Sequence, residues 1–197
     1  RLRKHLPALL DALGPETVVS ANLQPDHKAV LEGPTEVLLT TRATLAMPVG
    51  DVVLRLRPQS FFQTNTAVAS ELYRTAARWT ASLDVATVWD LFCGVGGFAL
   101  HLAGPGRDVL GVELSGEAVA AALTARDELG LDVRFRAGDA EAFARSAATV
   151  PGLVVVNPPR RGLGDLASWL EQSGVRYVLY SSCHVPSLAK DLHRMPG

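Results

Sequence analysis

Nine residues, Asp90-Leu91-Phe92-Cys93-Gly94-Val95-Gly96-Gly97-Phe98, carry the strongest fold signal of the chain. An apolar run reaches an acidic residue, and glycines follow before the next apolar segment begins. Glycine permits a tight turn and the close approach of a ligand to the main chain, and a helix N-terminus offers free N–H groups. The stretch predicts a strand, a glycine-rich turn and a helix, with either a ligand or only a turn at that point.

Beyond this turn, apolar runs and helical patterns alternate to the end of the chain. Strands are predicted at 85–91, 108–112, 133–136, 153–156 and 176–180, and helices at 97–103, 117–129, 140–147, 165–171 and from about residue 186. Strands separated by helices form a doubly wound parallel sheet that binds ligands at the carboxyl ends of its strands. We therefore expect an α/β fold of the Rossmann-like class, with functional residues in the strand-end loops.

The residues before the turn divide into a β-rich part and a long helix. β-prone runs broken by proline and glycine are predicted at 17–23, 28–31, 35–41 and 52–56. Apolar residues at helical spacing predict a helix over 66–83, with Thr64 or Asn65 as its N-cap. We expect a partial β-rich subdomain in residues 1–58 and the doubly wound domain in residues 59–197.

The composition excludes several classes of protein. The 197 residues are 48% hydrophobic with a formal charge of −1, which is typical of a globular domain and not of a disordered or coiled-coil chain. No apolar run approaches the roughly 20 residues of a membrane helix, so we expect a cytoplasmic protein without membrane contact. The near-neutral charge gives no basic arm for nucleic acid, although 16 arginines against 3 lysines suit phosphates and bases.

Acidic side chains at the predicted strand ends indicate a nucleoside ligand. Asp90 is placed to hold the turn or to reach an amino group, and Glu113 ends the next strand, 19 residues after Gly94. A carboxylate there accepts hydrogen bonds from ribose hydroxyls in dinucleotide and S-adenosylmethionine sites alike. Asp139 ends the third strand, where it either meets an adenine edge or caps the following helix.

The fourth strand leads into Asn157-Pro158-Pro159-Arg160-Arg161. Two prolines fix an extended loop that is poor in N–H donors, and this turns the Asn157 side chain toward the crevice. Methyltransferases use such an Asx-Pro-Pro loop to present a target base to the methyl donor, whereas dehydrogenases have no recurrent need for it. Arg160 is placed to meet phosphate or base, and Arg161 is expected to be a solvated charge.

Two cysteines, Cys93 and Cys183, give no ligand spacing for zinc or an iron–sulfur cluster and no disulfide framework, so no metal site is predicted. Cys93 lies inside the glycine turn and is expected to be a small packing residue. Cys183 follows the fifth strand, before a predicted helix, where a thiolate can be stabilised. We therefore regard Cys183 as a candidate nucleophile.

A cysteine nucleophile beside a methyl donor points to carbon 5 of a pyrimidine. This carbon is a poor nucleophile until a thiolate adds to C6, after which C5 takes the methyl group and loses a proton so that the cysteine can leave. RNA cytosine-5 enzymes would be expected to carry a second cysteine in the fourth strand's loop. That loop contains none here, so uracil is the preferred base.

Several segments together resemble the RNA uracil-5-methyltransferases, and among them the bacterial enzymes that act on 23S ribosomal RNA. They match in order and spacing over about 140 residues, and they are Arg57-Pro58-Gln59-Ser60-Phe61-Phe62-Gln63-Thr64-Asn65, Asp90 through Phe98, Gly111-Val112-Glu113-Leu114-Ser115, Asn157-Pro158-Pro159-Arg160 and Ser181-Ser182-Cys183. The resemblance implies a class I S-adenosylmethionine-dependent methyltransferase sheet, a ribosomal RNA substrate and a monomer.

The resemblance also implies roles for individual residues. Gln63, Phe92, Gly94, Glu113 and Asn157 would contact S-adenosylmethionine or the target base, with Cys183 as the nucleophile. Phe61, which the pattern alone would place in the core, would stack on the flipped uracil, and Arg160 would contact the substrate.

Some features of the family have no counterpart in this sequence. Members carry a general-base glutamate well beyond the nucleophilic cysteine, and only 14 residues follow Cys183, so we expect the base beyond residue 197. An iron–sulfur cluster, which many members bind through N-terminal cysteines, is expected only in a missing N-terminal part. We therefore expect a fragment of a longer enzyme, truncated at the C-terminal end of its fold. His184 stands where asparagine is expected, which leaves the hydrogen bonding beside Cys183 open.

Four alternatives stay open on sequence grounds. A transfer RNA uracil-5-methyltransferase would share the catalytic loops. An amino-methyltransferase would use the Asn157 loop, although Arg160 replaces the aromatic residue expected after the prolines. A dinucleotide oxidoreductase rests on Gly94-x-Gly96-x-x-Ala99 alone. An RNA- or ligand-binding module would explain the absence of a general base.

Overall fold

The computed structural model describes residues 2–25 and 33–197, in which helices and strands alternate as an α/β fold. The elements in chain order are α1 (Leu2–Leu13), β1 (Ser20–Leu23), β2 (Thr35–Leu38), β3 (Leu45–Val49), β4 (Val52–Leu56), α2 (Thr66–Ala81), β5 (Thr87–Leu91), α3 (Gly97–Leu102), β6 (Asp108–Glu113), α4 (Gly116–Leu129), β7 (Val133–Ala137), α5 (Ala140–Ser146), β8 (Leu153–Val156), α6 (Asp165–Ser173), β9 (Tyr177–Tyr180) and α7 (Val185–Leu192).

Five of the strands form one parallel sheet in the order β7-β6-β5-β8-β9. The chain runs outward from β5 to β7 and then crosses back to β8, so the direction of winding reverses between β5 and β8. In sheets of this kind the crevice at the reversal point, outside the carboxyl ends of the strands, is where ligands bind. The predicted α/β fold and its five strands are confirmed, and the loops after β5 and β8 flank this crevice.

Burial explains why the sheet forms from these residues. All four residues of β8 are buried, as are four of the five in β5, because helices cover both faces of a doubly wound sheet. Two apolar clusters result, one around Val88 and Val155 and the other around Leu91 and Val156. Alternate residues of each strand enter opposite clusters, which fixes the direction in which each strand-end side chain points.

The part before residue 58 differs from the sequence prediction in two places. Helix α1 was not expected, since Pro7 inside it lacks an N–H donor and weakens the helical signal. Strand β3 was also not expected because it contains Pro48, which a two-stranded sheet accommodates since both of its strands are edges. The run predicted at 28–31 lies outside the described residues.

The β3–β4 hairpin packs on the doubly wound domain. Val49, Val52 and Leu54 are buried in the same apolar cluster as residues of α2, α3 and α4. The hairpin of β1 and β2 forms a separate two-stranded sheet. The predicted boundary after residue 58 stays a prediction.

Polar side chains cap the helices near the crevice. Asn65 Oδ1 accepts a hydrogen bond from Val68 N at 3.1 Å, so Asn65, one of the two predicted residues, is the N-cap of α2. Ser115 caps α4 in the same way, and Asp139 Oδ1 accepts from Ala142 N at 2.8 Å at the start of α5. Within the described residues, no helix combines the length and apolar character needed to span a membrane.

Candidate active site

The glycine turn after β5 is built from residues in the left-handed backbone region. Phe92 has a φ of 67°, which is uncommon for a residue with a side chain, and Gly94 and Gly96 have φ values of 55° and 86°. A Cβ on Gly96 would lie 2.8 Å from Phe135 Cζ, whereas a Cβ on Gly94 would meet nothing within 4 Å. Gly96 is therefore required by packing, and Gly94 opens the main chain to the space above the sheet.

Asp90 holds this turn from below. Its side chain is fully buried, and Oδ2 accepts a hydrogen bond from Ala99 N at 2.9 Å in the first turn of α3. Oδ1 is buried and has no hydrogen-bond partner among the described residues. Burial raises the pKa of Asp90 to about 7, and the charge of Glu113 acts in the same direction. The structure thus supports the first of the two roles predicted for Asp90, and it leaves one buried oxygen available.

Glu113 ends β6 and reaches across to the glycine turn. Its Oε2 accepts a hydrogen bond from Gly94 N at 3.1 Å, and its Oε1 accepts from Ser115 N at 2.9 Å. Each carboxylate oxygen has two lone-pair directions, so both retain capacity to accept a ligand hydroxyl. The side chain is held in one orientation at the ligand-facing end of its strand.

A first cleft of about 190 Å³ lies beside the turn. It is lined by Phe92, Asp139, Glu141, Arg161, Gly162, Leu163 and Gly164. Both readings of Asp139 therefore agree with the structure, because it caps α5 and also lines this cleft. Arg161 was expected to be a solvated charge, and it is exposed yet contributes to the cleft wall.

A second cleft, of about 230 Å³, brings together three of the predicted site residues. Gln63, Asn157 and Cys183 line it with Ser181 and Ser182, and the remaining wall consists of Thr64, Asn65, Val68, Ala69 and Leu72. Pairing of β8 with β9 continues past the strands, since Ser181 N donates to Val156 O at 2.8 Å. This pairing keeps the loops of Asn157 and Cys183 side by side.

The segment before α2 carries Gln63 into this cleft. Arg57 pairs with Glu117 at the start of α4, and Arg57 N donates to Ser60 Oγ at 3.0 Å, so the segment is tied down at its beginning. Phe62 packs against the main core, whereas Phe61 is 77% exposed. The core position that the pattern alone suggested for Phe61 is thus taken by Phe62, and the Phe61 ring lies at the surface.

The two cysteines lie in opposite environments. Cys93 is buried under the turn, and burial raises the pKa of its thiol well above the usual range, with the charges of Asp90 and Glu113 adding to the effect. Cys183 is exposed at the second cleft. The structure therefore agrees with a packing role for Cys93 and leaves Cys183 accessible to a substrate.

Two residues near Cys183 make contacts that were not predicted from the sequence. His184 caps α7, because its Nδ1 accepts a hydrogen bond from Ser187 N at 3.3 Å. This bond shows how His184 is hydrogen-bonded beside Cys183, which the sequence left open. Asp191 is buried and contacts the loop after Asn157. Its helical position gives no sequence signal, since acidic residues on short helices are usually exposed.

Arg160 lines neither cleft. It is exposed directly after the two prolines. Among residues 2–25 and 33–197, no group of three His, Cys, Asp or Glu side chains is arranged to hold a metal ion. The roles that the resemblance implies for the site residues remain predictions.

The sequence of this chain is similar to those of known enzymes. A family model described as a methyltransferase domain matches residues 88–174. The 23S rRNA (uracil(747)-C(5))-methyltransferase RlmC of Escherichia coli strain K12 and that of Shigella sonnei strain Ss046 are each 49% identical to this chain. Each alignment covers 100% of this chain and 53% of the relative, so the chain spans about half the length of the curated relatives it matches.

Solved structures show the same architecture. The Pyrococcus abyssi tRNA (uracil-54, C5)-methyltransferase in complex with S-adenosyl-L-homocysteine matches with a TM-score of 0.75 and 24% identity, over 90% of this chain and 44% of that chain. The precorrin 8W decarboxylase of Methanobacterium thermoautotrophicum matches with a TM-score of 0.57 and 18% identity, over 71% of this chain and 75% of that chain. At these identities the likeness concerns the fold.

Proposed function

This chain belongs to the RlmC family of 23S rRNA uracil-C5-methyltransferases, and we propose from that membership that it carries the donor site and the nucleophile for S-adenosylmethionine-dependent methylation of uracil C5 in 23S ribosomal RNA. The observation that carries the proposal is the shared cleft of Gln63, Asn157 and Cys183. An exposed thiol lies there beside two amides that are able to read the edge of a base.

The residues around the glycine turn fit a nucleoside methyl donor. Gly94 opens the main chain to the ligand, and Glu113 is oriented to accept hydrogen bonds from ribose hydroxyls. The cleft lined by Phe92 and Asp139 provides an aromatic face and a carboxylate for an adenine ring. When bound there, S-adenosylmethionine supplies an electrophilic methyl group.

In the proposed reaction Cys183 and Asn157 act on the uracil. The Cys183 thiolate forms a bond to C6, and the C5–C6 double-bond electrons move toward the O4 carbonyl to give an enolate. Asn157 and Gln63 hold the base edge while C5 would form a bond to the methyl group, with the bond from the methyl carbon to the donor sulfur broken and S-adenosylhomocysteine released. A base then removes the C5 proton, the C5–C6 double bond forms again and the bond from sulfur to C6 breaks.

The rim of the second cleft suits an extruded base. Phe61 is exposed two residues before Gln63, and an aromatic face there offsets the loss of stacking when a base leaves the RNA fold. Arg160 is placed to contact a phosphate or a base edge. Because ribosomal RNA is the substrate named for the relatives, we also propose a cytoplasmic location for the whole protein.

The direct test is covalent capture. The intact protein is incubated with S-adenosylmethionine and a 23S fragment that contains 5-fluorouridine, and RNA–peptide adducts are mapped by mass spectrometry. Fluorine at C5 blocks the final proton removal, so an adduct at Cys183 is expected, and Cys93→Ala should still give it. Absence of any adduct with the donor bound would contradict the proposal. An adduct formed only with a transfer RNA fragment would keep the chemistry and correct the substrate.

A further inference from the structure

A single buried carboxylate joins the two loops that carry Asn157 and Cys183. Asp191 lies on α7 and is only 2% exposed. Its Oδ2 accepts a hydrogen bond from Leu163 N at 2.7 Å and another from the Tyr180 hydroxyl at 2.7 Å. Leu163 belongs to the loop that starts at Asn157, and Tyr180 is the last residue of β9 before the Cys183 loop. One oxygen therefore fixes both loops to the same helix.

The close approach of α7 to this loop depends on Gly162. A Cβ at residue 162 would lie 2.5 Å from Asp191 Oδ2 and 3.2 Å from Ser187 Cβ, and the φ of Gly162 is +85°. Ser187 and Asp191 are the buried residues of α7, and both are polar. The helix that follows the candidate nucleophile thus contacts the domain through directed hydrogen bonds at this face.

A charge at this place needs a reason, because burying a carboxylate costs free energy. Among the residues that the structure describes, no lysine or arginine forms an ion pair with Asp191, and an apolar side chain of similar size is often more stable in such a setting. Burial, together with the hydrogen bond to Asp191, raises the pKa of Tyr180, so its hydroxyl remains a donor at neutral pH. What the carboxylate provides beyond apolar packing is a fixed direction for two hydrogen bonds.

We propose that Asp191 is a positioning residue that sets the separation between Asn157 and Cys183 across their shared cleft. The inference rests on the proposed function. Attack of sulfur on C6 requires the base to be held within bonding reach of the thiol while Asn157 holds its edge. Displacement of a reacting group by about 1 Å lowers a rate on the order of 10²-fold, so a residue that fixes both loops should act on the covalent step.

Three variants separate this role from general stability. Asp191→Ala removes both hydrogen bonds, Tyr180→Phe removes one, and Asp191→Asn keeps an amide oxygen that is able to accept both. The readouts are the rate of adduct formation with 5-fluorouridine RNA at saturating S-adenosylmethionine, and the affinity and stoichiometry for S-adenosylhomocysteine by calorimetry. Rates are expressed per donor-binding molecule, which removes any contribution from unfolded protein.

We expect Asp191→Ala to lower the adduct rate by about 10²-fold with donor affinity retained. The adduct rate of Tyr180→Phe should lie between those of Asp191→Ala and wild type, and that of Asp191→Asn should remain near wild type. Lys190→Ala, at an exposed neighbour on α7, is the matched control and should leave the rate unchanged. A wild-type rate in Asp191→Ala, or an equal loss in Asp191→Asn, would overturn the inference.

Three further outcomes are also decisive. If Asp191→Ala does not fold, Tyr180→Phe carries the test, because it keeps the bond to Leu163 N, and a wild-type rate in that variant overturns the inference. If the wild-type protein forms no adduct, the proposed function fails and the inference fails with it. Adduct formation by wild type with equal rates in all variants rejects the positioning role alone.

Discussion

Glu113 Oε2 lies 3.1 Å from Gly94 N and accepts its hydrogen bond, so the end of β6 holds the glycine turn that follows β5. The other oxygen of the carboxylate is held by Ser115 N at the start of α4. Two N–H donors from two different segments thus orient one side chain. The same carboxylate has lone pairs left for ribose hydroxyls, which makes it both a support of the turn and a part of the proposed donor site.

Removal of this carboxylate should weaken donor binding. Hydrogen bonds to charged groups contribute about 1.5–3 kcal/mol, so we expect Glu113→Ala to raise the Kd for S-adenosylhomocysteine by about 10- to 100-fold. Calorimetry on the variant measures this change directly. Glu71→Ala, at an exposed glutamate that pairs with Arg78 on α2, is the control and should bind as wild type does. Equal affinity of the Glu113 variant would show that the carboxylate only supports the turn.

The two cysteines should differ in reactivity. Cys183 is exposed, whereas Cys93 is buried and its thiol pKa is raised by that burial, so iodoacetamide at pH 8 should alkylate Cys183 alone. The alkylated protein should lose methyl transfer and keep donor binding. Peptide mapping identifies the modified residue. Modification of Cys93 in the folded protein would contradict the burial of its thiol.

Much of the fold could be predicted from local sequence patterns. Strand β8 has the predicted bounds, because its four consecutive apolar residues are too few for a helix and lie between Pro151-Gly152 and the prolines after Asn157. Strand β3 and helix α1 were missed for the same physical reason, since Pro48 and Pro7 each remove an N–H donor. A local sequence pattern does not show that an edge strand or a weakly packed helix tolerates the missing N–H donor of proline.

The candidate site was predictable only in part. Asn157 and Cys183 follow strands, and parallel strands bring their carboxyl ends to one edge, so their meeting follows from topology. The packing of Phe62 rather than Phe61 against the core was not predictable, since adjacent aromatic residues give no sign of which one faces the core. The role proposed for Asp191 depends on its hydrogen bonds with Leu163 and Tyr180, which are distant in sequence or lie on other elements.

The buried carboxyl of Asp90 should make stability depend on pH. Its pKa is raised to about 7 in the folded protein, whereas an aspartate in an unfolded chain titrates near about 3.9. Between these values the folded state holds a proton that the unfolded state has released. The contribution to stability is therefore full below about pH 4 and is lost as the pH rises through about 7, by up to about 4 kcal/mol.

Urea unfolding of Asp90→Asn at pH 5 and pH 8 tests this dependence. The asparagine oxygen is able to accept from Ala99 N, and the neutral side chain should remove the loss of stability between the two pH values. Asp51→Asn, at an exposed turn residue, should retain the wild-type dependence. If wild type and Asp90→Asn lose equal free energy of unfolding between pH 5 and pH 8, Asp90 is not the source of the pH dependence.

Gly111 in β6 should not tolerate a side chain. A Cβ there would lie 2.6 Å from Phe135 Cδ1 and 2.9 Å from Cys93 Sγ, and the Phe135 ring also lies beneath Gly96. Overpacking of a buried site costs about 1–3 kcal/mol, so we expect Gly111→Ala to lower the free energy of unfolding by that amount. Because the displaced ring would press on the glycine turn at Gly96, donor affinity should fall as well.

A matched glycine and a compensating change complete this prediction. A Cβ on Gly138 would meet nothing within 4 Å, so Gly138→Ala should change stability by less than about 0.5 kcal/mol. In the Gly111→Ala background, Phe135→Leu removes the crowded ring edge and should restore part of both stability and donor affinity. Urea unfolding and calorimetry measure the two quantities. Recovery of stability without recovery of donor affinity would show that the Phe135 ring itself, and not the crowding, supports the turn.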